Sequence, residues 1–375
     1  MADKIFRILA INPGSTSTKA SIFENDTEVW KANIVHSPED LEAAGGICDQ
    51  GPFRRDALLA AAREAGQDVG SIDAVVGVGG VGLAAVPYGT YVINDTMVED
   101  ARVGKYGVHP NNSAVIIARE IADACGAHAF AAGMGSSEEF QDVAHVGGFK
   151  ETPRRCCVHM LNTKEQAIRH ATELGRDYKD LNLVVAHVGG GITVAAHQKG
   201  RVIEATDGIE QDGPFTPNRP GRVGLISFVK AFVGAEGATA ESIKKKIATQ
   251  GGLVSHLGTD DALEVKRMIE AGDEYAALVY EALFYNVANW IGYMATALKG
   301  DVDGIILTGG LMNDEYGSSY IKERVEWIAP VDVRPGELEG EALASAALRV
   351  LRGEEELCEY TGIPVWNGFD HLKRG

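Results

Sequence analysis

Asn12, Gly14, Ser15, Ser17 and Lys19 fall within one short stretch between the apolar runs 8–11 and 20–23. Residues of these types at this spacing read as a β-hairpin whose turn can cradle a phosphate-like anion. Gly14 lets backbone approach a bulky anion, Ser15, Ser17 and Thr18 offer hydroxyl donors, and Lys19 brings positive charge. The same residues would also make a plain Gly/Ser turn. The pattern recurs: His187, Gly189, Gly190 and Gly191 lie in 186–193, with Gly190 placed 176 residues after Gly14 and again between apolar strands. A second pair of matching segments, 73–80 and 303–310, ends each time in Gly-Gly and is offset by 230 residues, so insertions separate the copies. Two similar α/β halves, each opening with such a hairpin, imply a nucleotide held in the cleft between them.

The elements that must position these residues can be read from periodicity. Strands are expected at 6–11, 19–23 and 28–33, a helix at 52–65, a buried strand at 72–78, a helix at 112–124 and a strand at 127–132. The second half repeats the order with strands at 183–187, 193–198 and 201–205, a long helix at 275–298, a strand at 304–308 and a terminal helix at 340–352. Leu278, Leu283, Val287, Trp290 and Met294 form an apolar stripe on the long helix, expected to face the core.

With 375 residues, 45% of them hydrophobic, the chain can bury cores for two domains of ordinary size. The first strand begins almost at Met1, which leaves no room for a secretory leader, and no apolar run approaches the ~20 residues that span a bilayer. A cytoplasmic protein without a membrane partner is expected. The five cysteines are odd in number and irregularly spaced, which fits free thiols in a reducing compartment. A formal net charge of −18 argues against nucleic acid as a partner and requires any anionic ligand to be met by a few local cations.

The segments 12–19, 187–191, 213–219 and 307–311, with the C-terminal stretches 335–337, 341–344 and 347–355, resemble the carboxylate kinases of the acetokinase family, most of all those of butyrate kinase type. These belong to the acetate and sugar kinase/Hsp70/actin superfamily, and the resemblance covers nearly all of the chain. It implies an α/β fold of two duplicated ribonuclease-H-like (actin-like ATPase) domains with an inter-domain cleft, which close around a nucleotide. The first domain, 1–148 plus 343–375, would be the acyl-acceptor side and the second, 149–342, the nucleotide side. The implied reaction is reversible, in-line transfer of the γ-phosphoryl group of ATP to a short or branched-chain carboxylate, with Mg²⁺, giving ADP and an acyl phosphate. A homodimer or larger homo-oligomer is implied as well.

A carboxylate is already ionised at neutral pH, so this chemistry needs no general base and rests on positioning and charge neutralisation. By the resemblance, Arg219 is the transition-state cation, a role suited to a guanidinium that can bind oxygens through two parallel bonds. The alternative is a surface arginine paired with Asp212 or Glu210. His159 would donate to the moving phosphoryl group, and His187 would orient the second phosphate turn, Gly189, Gly190 and Gly191. Thr308, Gly309, Gly310 and Leu311 resemble the adenosine-binding strand and turn. Asn12 and Lys19 would contact phosphate or Mg²⁺-bound water, beside Gly14, Ser15 and Ser17. Glu341, with Asn12, would hold Mg²⁺; a first-turn glutamate favoured by the helix dipole is the plainer reading.

Two positions depart from the family pattern. Val78 stands where an arginine is usual, and the turn at Gly133 lacks an aspartate. Both lie in the first domain, so weak activity or a shifted acceptor is expected. The alternative is a nucleotide-binding homologue with weak or lost kinase activity and a regulatory or structural role. A sugar kinase would need an aspartate base near Gly133 to deprotonate a hydroxyl, and none is there.

Overall fold

The computed structural model describes residues 4–369, so the outermost parts of the first expected domain, 1–3 and 370–375, lie outside the described residues. β1 (Arg7–Pro13) and β4 (Ala74–Val78) are near-continuous apolar runs because they are buried on both faces, as parallel strands covered by helices are. β6 (His128–Ala132) pairs parallel beyond β4, while β2 (Ser17–Glu24) and β3 (Thr27–Val35) follow β1 antiparallel. Short strands β5 (Thr90–Val92) and β12 (Leu357–Cys358) extend this sheet, whose order is β12-β5-β6-β4-β1-β2-β3.

The second sheet contains β7 (Asn182–Val188), β8 (Ile192–Gln198), β9 (Arg201–Ala205), β10 (Gly304–Gly309) and β11 (Val331–Pro335) in the order β11-β10-β7-β8-β9. Its three parallel strands followed by two antiparallel ones repeat β6-β4-β1-β2-β3 strand for strand. The duplication read from the sequence is thus a duplication of topology. Gly14 and Gly190 occupy the equivalent turns, β1 to β2 and β7 to β8.

The chain forms two compact units, one made of residues up to Glu138 and from Leu338 onward, the other of Glu139–Glu337. Residues just after Glu138 belong to the second because they bond to β9: Arg201 donates to the Glu139 and Phe140 carbonyls, and Gln141 N–H to Ile203 O. In the first unit, helix Glu339–Leu351 packs on β1 and β4 through Ala342, Leu343, Ala346 and Ala347. Helix Ser113–Cys125 also packs on β4, approaching so closely that a Cβ on Gly77 would stand 2.7 Å from Ala114 O. In the second unit, the 24-residue helix Glu274–Ala297 crosses β7 and β8, and helix Met160–Glu173 packs on β7 and β10.

Leu283, Val287 and Met294 of the long helix are buried as expected, and Trp290 is half-buried, but Leu278 is 62% exposed. Five residues before Leu283, it is rotated about 140° from that position, while Val279 and Tyr280 take the core-facing places. Among the described residues no helix is long and apolar enough to cross a membrane, and all five cysteines are free.

Arg54, on helix Gly51–Glu64, is fully buried and was not singled out by the sequence. It donates to the backbone carbonyls of Ser15 (3.3 Å) and Ser17 (3.1 Å), to Thr18 Oγ1 (3.2 Å) and to Gln50 Oε1 (3.0 and 3.2 Å), so it fixes the first hairpin turn from beneath. Replacing it by methionine leaves several buried acceptors without donors. Arg54→Met is expected to destabilise the protein by about 2–4 kcal/mol in urea unfolding and to speed amide exchange in residues 14–18.

Candidate active site

In the second unit β7 carries His187 and Val188 to the turn Gly189–Gly191, closed by a Gly189 N–H to Gly191 O bond of 3.1 Å. Helix Met160–Glu173 begins beside this turn, so His159 at its start stacks on His187, ring centroids 4.1 Å apart and planes 12° from parallel. His159 Nδ1 is 2.8 Å from Thr193 Oγ1 on β8. One helical turn on, Asn162 Nδ2 lies 2.8 Å from His187 Nδ1, and His187 Nε2 faces Glu337 Oε1 at 3.4 Å.

Arg219 approaches the same turn from a loop held by backbone. Thr216 N–H donates to Arg219 O (3.0 Å), Gly251 N–H to Asn218 O (2.9 Å) and Val254 N–H to Pro217 O (3.0 Å). A Cβ on Gly251 would stand 2.1 Å from Pro220 N. One on Gly252, whose φ is +54°, would stand 1.6 Å from Thr216 O. These two glycines are therefore a steric requirement of the loop. Arg219 is half-buried and donates through Nη1 to Gly208 O at 3.4 Å, with no carboxylate partner among the described residues. The pairing with Asp212 considered above is not formed, because Arg154 takes that carboxylate through Nε at 2.6 Å while its Nη1 takes Glu204 at 2.6 Å. Pairing with Glu210 is not formed either. A Cβ built on Gly191 would lie 3.1 Å from His159 Nε2 and 3.5 Å from Arg219 Nη1, so a cation and an imidazole nitrogen border one point above the glycine turn.

His159 is an exposed residue whose ring lies against His187 and Thr193. Loss of hydration on that packed side, then repulsion from His187 and, less strongly, from Arg219, lowers its pKa to about 3, against an opposing pull from Glu337. His159 is therefore neutral at pH 7. Burial, with the negative charges of Asp207 and Glu210, pushes the nearby Cys157 thiol up to about 12, which leaves it protonated and a poor nucleophile. The site offers donors and positive charge rather than a nucleophile.

The other sequence-predicted residues fall as follows. Thr308 is fully buried and its hydroxyl is spent internally, donating to Gly336 O (3.0 Å) and accepting from Gln166 Nε2 (3.2 Å) and Asn162 Nδ2 (3.4 Å), so it locks the end of β10 rather than presenting a group to a ligand. Gly309, φ +98°, passes so close to β7 that a Cβ would sit 2.4 Å from Val188 O. Gly310 is exposed and Leu311 half-buried.

In the first unit the Gly14 N–H to Ser17 O bond (2.7 Å) closes the turn, with Ser15 exposed and Ser17 half-buried. Lys19 Nζ is 2.7 Å from Glu339 Oε2, a pairing that sequence reasoning missed, so part of its charge serves the first turn of helix Glu339–Leu351. Asn12 and Glu341 are half-buried, and their side chains make no hydrogen bond or ion pair among the described residues. Val78 is buried in β4 and Gly133 takes a left-handed turn, φ +61°, so neither position supplies charge. The positioning residues Asn162, Thr193, Gly251 and Gly252 are recognisable only through their partners. Of these, Thr193 lay within the stretch 186–193 that the sequence singled out.

Two copies of one five-stranded topology define a duplicated actin-like α/β protein, and the glycine turn of its second unit is bordered by Arg219 and His159. A family profile, the Acetokinase family, matches residues 151–326. The chain is 43% identical over 356 residues to butyrate kinase 1 of Clostridium acetobutylicum, covering 95% of this chain and all of that protein. It belongs to the acetokinase family. Among solved structures it is similar to acetate kinase of Porphyromonas gingivalis (TM-score 0.74, 18% identity, 92% of this chain and 100% of that one). It is also similar to a propionate kinase of Francisella tularensis (TM-score 0.69, 17% identity, 91% and 99%).

Two outcomes follow from this geometry. His159 and the buried His197, whose pKa burial likewise lowers, stay neutral in the native state but take up protons in the unfolded chain below about pH 6.5. The unfolded state then binds more protons, so stability falls as pH drops from about 6.5 toward 3. The loss in urea midpoint between pH 7.5 and 5 is expected to be smaller in His159→Gln. Gly252→Ala must displace Thr216 or distort a left-handed residue. It is expected to cost about 2–4 kcal/mol in stability and to shift the 216–220 loop in a crystal structure of the variant.

Proposed function

We propose that this protein transfers the γ-phosphoryl group of ATP reversibly to a short or branched-chain aliphatic carboxylate, giving ADP and an acyl phosphate. The carrying observation is Arg219, an arginine without a carboxylate partner among the described residues, which borders the same point above Gly191 as the Nε2 of neutral His159. A carboxylate oxygen forms the new bond to phosphorus as the bond to the bridging oxygen of ADP breaks, and ADP leaves with that electron pair. No proton has to be removed, since the acceptor is ionised, and this agrees with a site holding donors but no activated nucleophile. Arg219 and His159 would meet the charge that spreads over the equatorial oxygens, and the N–H groups of Gly190 and Gly191 would lie beside them. Gly310 and Leu311, at the open end of β10, would border the adenosine, while Thr308 and Gly309 hold that strand end in place.

The proposal includes Mg²⁺. Among the described residues no group of three or more His, Cys, Asp or Glu could form a cage for it. Mg²⁺ commonly needs only one or two carboxylates when substrate phosphates supply the rest, and Asn12 and Glu341 have the hard oxygen donors and no internal partner to give up. They would hold the ion, which supplies positive charge to phosphate oxygens. The same reading makes ATP, ADP and the carboxylate the small-molecule partners, with a homodimer or larger assembly in the cytoplasm.

A second reading, nucleotide binding with weak or lost transfer, is favoured by Val78 and Gly133, which bring no charge to the first unit. Trapping acyl phosphate with hydroxylamine, with Mg-ATP and acids from acetate to isovalerate, decides between them. Product is expected, and Arg219→Ala is expected to lower its rate by about 10²–10³. ATP binding with no product from any acid would instead support the second reading.

A further inference from the structure

We infer that Thr193 and the relay Gly336–Thr308–Asn162 fix the imidazole tautomers of His159 and His187, so that both carry their single proton on Nε2. The hydrogen bonds leave one consistent direction. Gly336 O can only accept, so the Thr308 hydroxyl spends its one proton there at 3.0 Å. Thr308 Oγ1 is then an acceptor only, and the group that Asn162 turns toward it at 3.4 Å must be the amide NH₂. The second proton of that NH₂ points at His187 Nδ1, 2.8 Å away, so Nδ1 is unprotonated and the imidazole proton sits on Nε2. With the amide reversed, Asn162 oxygen would face an accepting Thr308 oxygen, and a bare His187 Nε2 would face Glu337 Oε1 at 3.4 Å. Gln166 Nε2 donates to Thr308 at 3.2 Å and joins the network, in which Asn162, Gln166, His187 and Thr308 are all buried.

His159 is set by a separate device. Thr193 Oγ1, itself buried, accepts from the His159 backbone N–H at 3.4 Å and lies 2.8 Å from His159 Nδ1. A buried hydroxyl proton without an acceptor is costly, and Nδ1 is the acceptor at hand, so Thr193 donates to it. The His159 proton is thereby placed on Nε2, the nitrogen 3.1 Å from the point above Gly191. The ring stacking, 4.1 Å between centroids, suits two neutral rings, whereas two imidazolium ions in that contact would repel. Both histidines are thus held as fixed N–H donors, and Thr193, Thr308 and Asn162 are positioning residues for them.

The functional meaning rests on the kinase reading; the tautomers themselves do not. Long-range ¹H–¹⁵N correlation spectra of the full chain carrying ¹⁵N-histidine, at pH 7, are expected to show His159 and His187 neutral and protonated at Nε2. Thr193→Val is expected to give a tautomer mixture at His159 and to lower kcat at least about tenfold with a change in KM for ATP below about threefold, and Thr193→Ser to restore both. Thr308→Val and Thr308→Ser should do the same to the His187 signal. Either ring found protonated at Nδ1 or doubly protonated in the parent protein, or a Thr193→Val spectrum unchanged at His159, overturns the inference. Expected spectra in a protein that phosphorylates no acid would leave the tautomers standing and sink the kinase reading alone.

Discussion

Arg219 keeps a half-buried guanidinium without a carboxylate partner among the described residues, in a chain whose acidic residues outnumber its basic ones by enough to give a net charge of −18, and the arrangement around it follows from that constraint. A neighbouring carboxylate would neutralise it and occupy the space an anion needs. Asp212 and Glu204 are instead bound to Arg154, and Asp207 turns back to accept from Ile209 and Glu210 N–H at 2.7 and 3.0 Å. The Arg219 loop is held by main-chain bonds from Gly251 and Val254 and by a contact so close that only glycine fits at 251 and 252. Backbone holds the cation in place and leaves its charge for something else.

Neutrality of His159 follows from the same economy. A second positive charge stacked against His187 and beside Arg219 would be repelled, and burial adds to that, so His159 acts through an N–H dipole and keeps it across the whole physiological pH range. A donor of this kind does not switch off with small pH changes, unlike an imidazolium with an ordinary pKa. The first unit shows a related use of a buried arginine. Arg54 also has no carboxylate partner among the described residues, but its donors are consumed by the carbonyls of Ser15 and Ser17 and by side chains, so it supports a turn and presents no charge outward. Two arginines without carboxylates thus have opposite roles, and what separates them is whether the fold supplies acceptors.

Much of the architecture was legible in the chain because it rests on local, periodic information. The near-continuous apolar runs of β1, β4, β7 and β10, the glycine turns after β1 and β7, and the matched offsets announced two copies of one topology. Leu278 was misread because a stripe counted at loose helical spacing cannot separate a residue on the core line from one about 140° away. Lys19 was read by its charge alone, and its partner Glu339, 320 residues further on, could not be seen without the packing of helix Glu339–Leu351 on the first sheet.

Residue types, order and duplication were determined by the sequence itself: the strand runs, the glycine turns, the family, and the candidates Arg219, His159 and His187. Only the tertiary structure decided which of these side chains meet and in what state. That Arg219 is not paired with Asp212 depends on Arg154, which reaches across 58 positions to take that carboxylate. That Thr308 faces inward, and that His187 receives a hydrogen bond at Nδ1, depends on Gly336 and Asn162 arriving from separate strands and helices. The physical reason is that strand and helix periodicity act over a few neighbouring residues, whereas burial, protonation state and hydrogen-bond direction are set by groups distant in the chain that only packing brings within 3 Å.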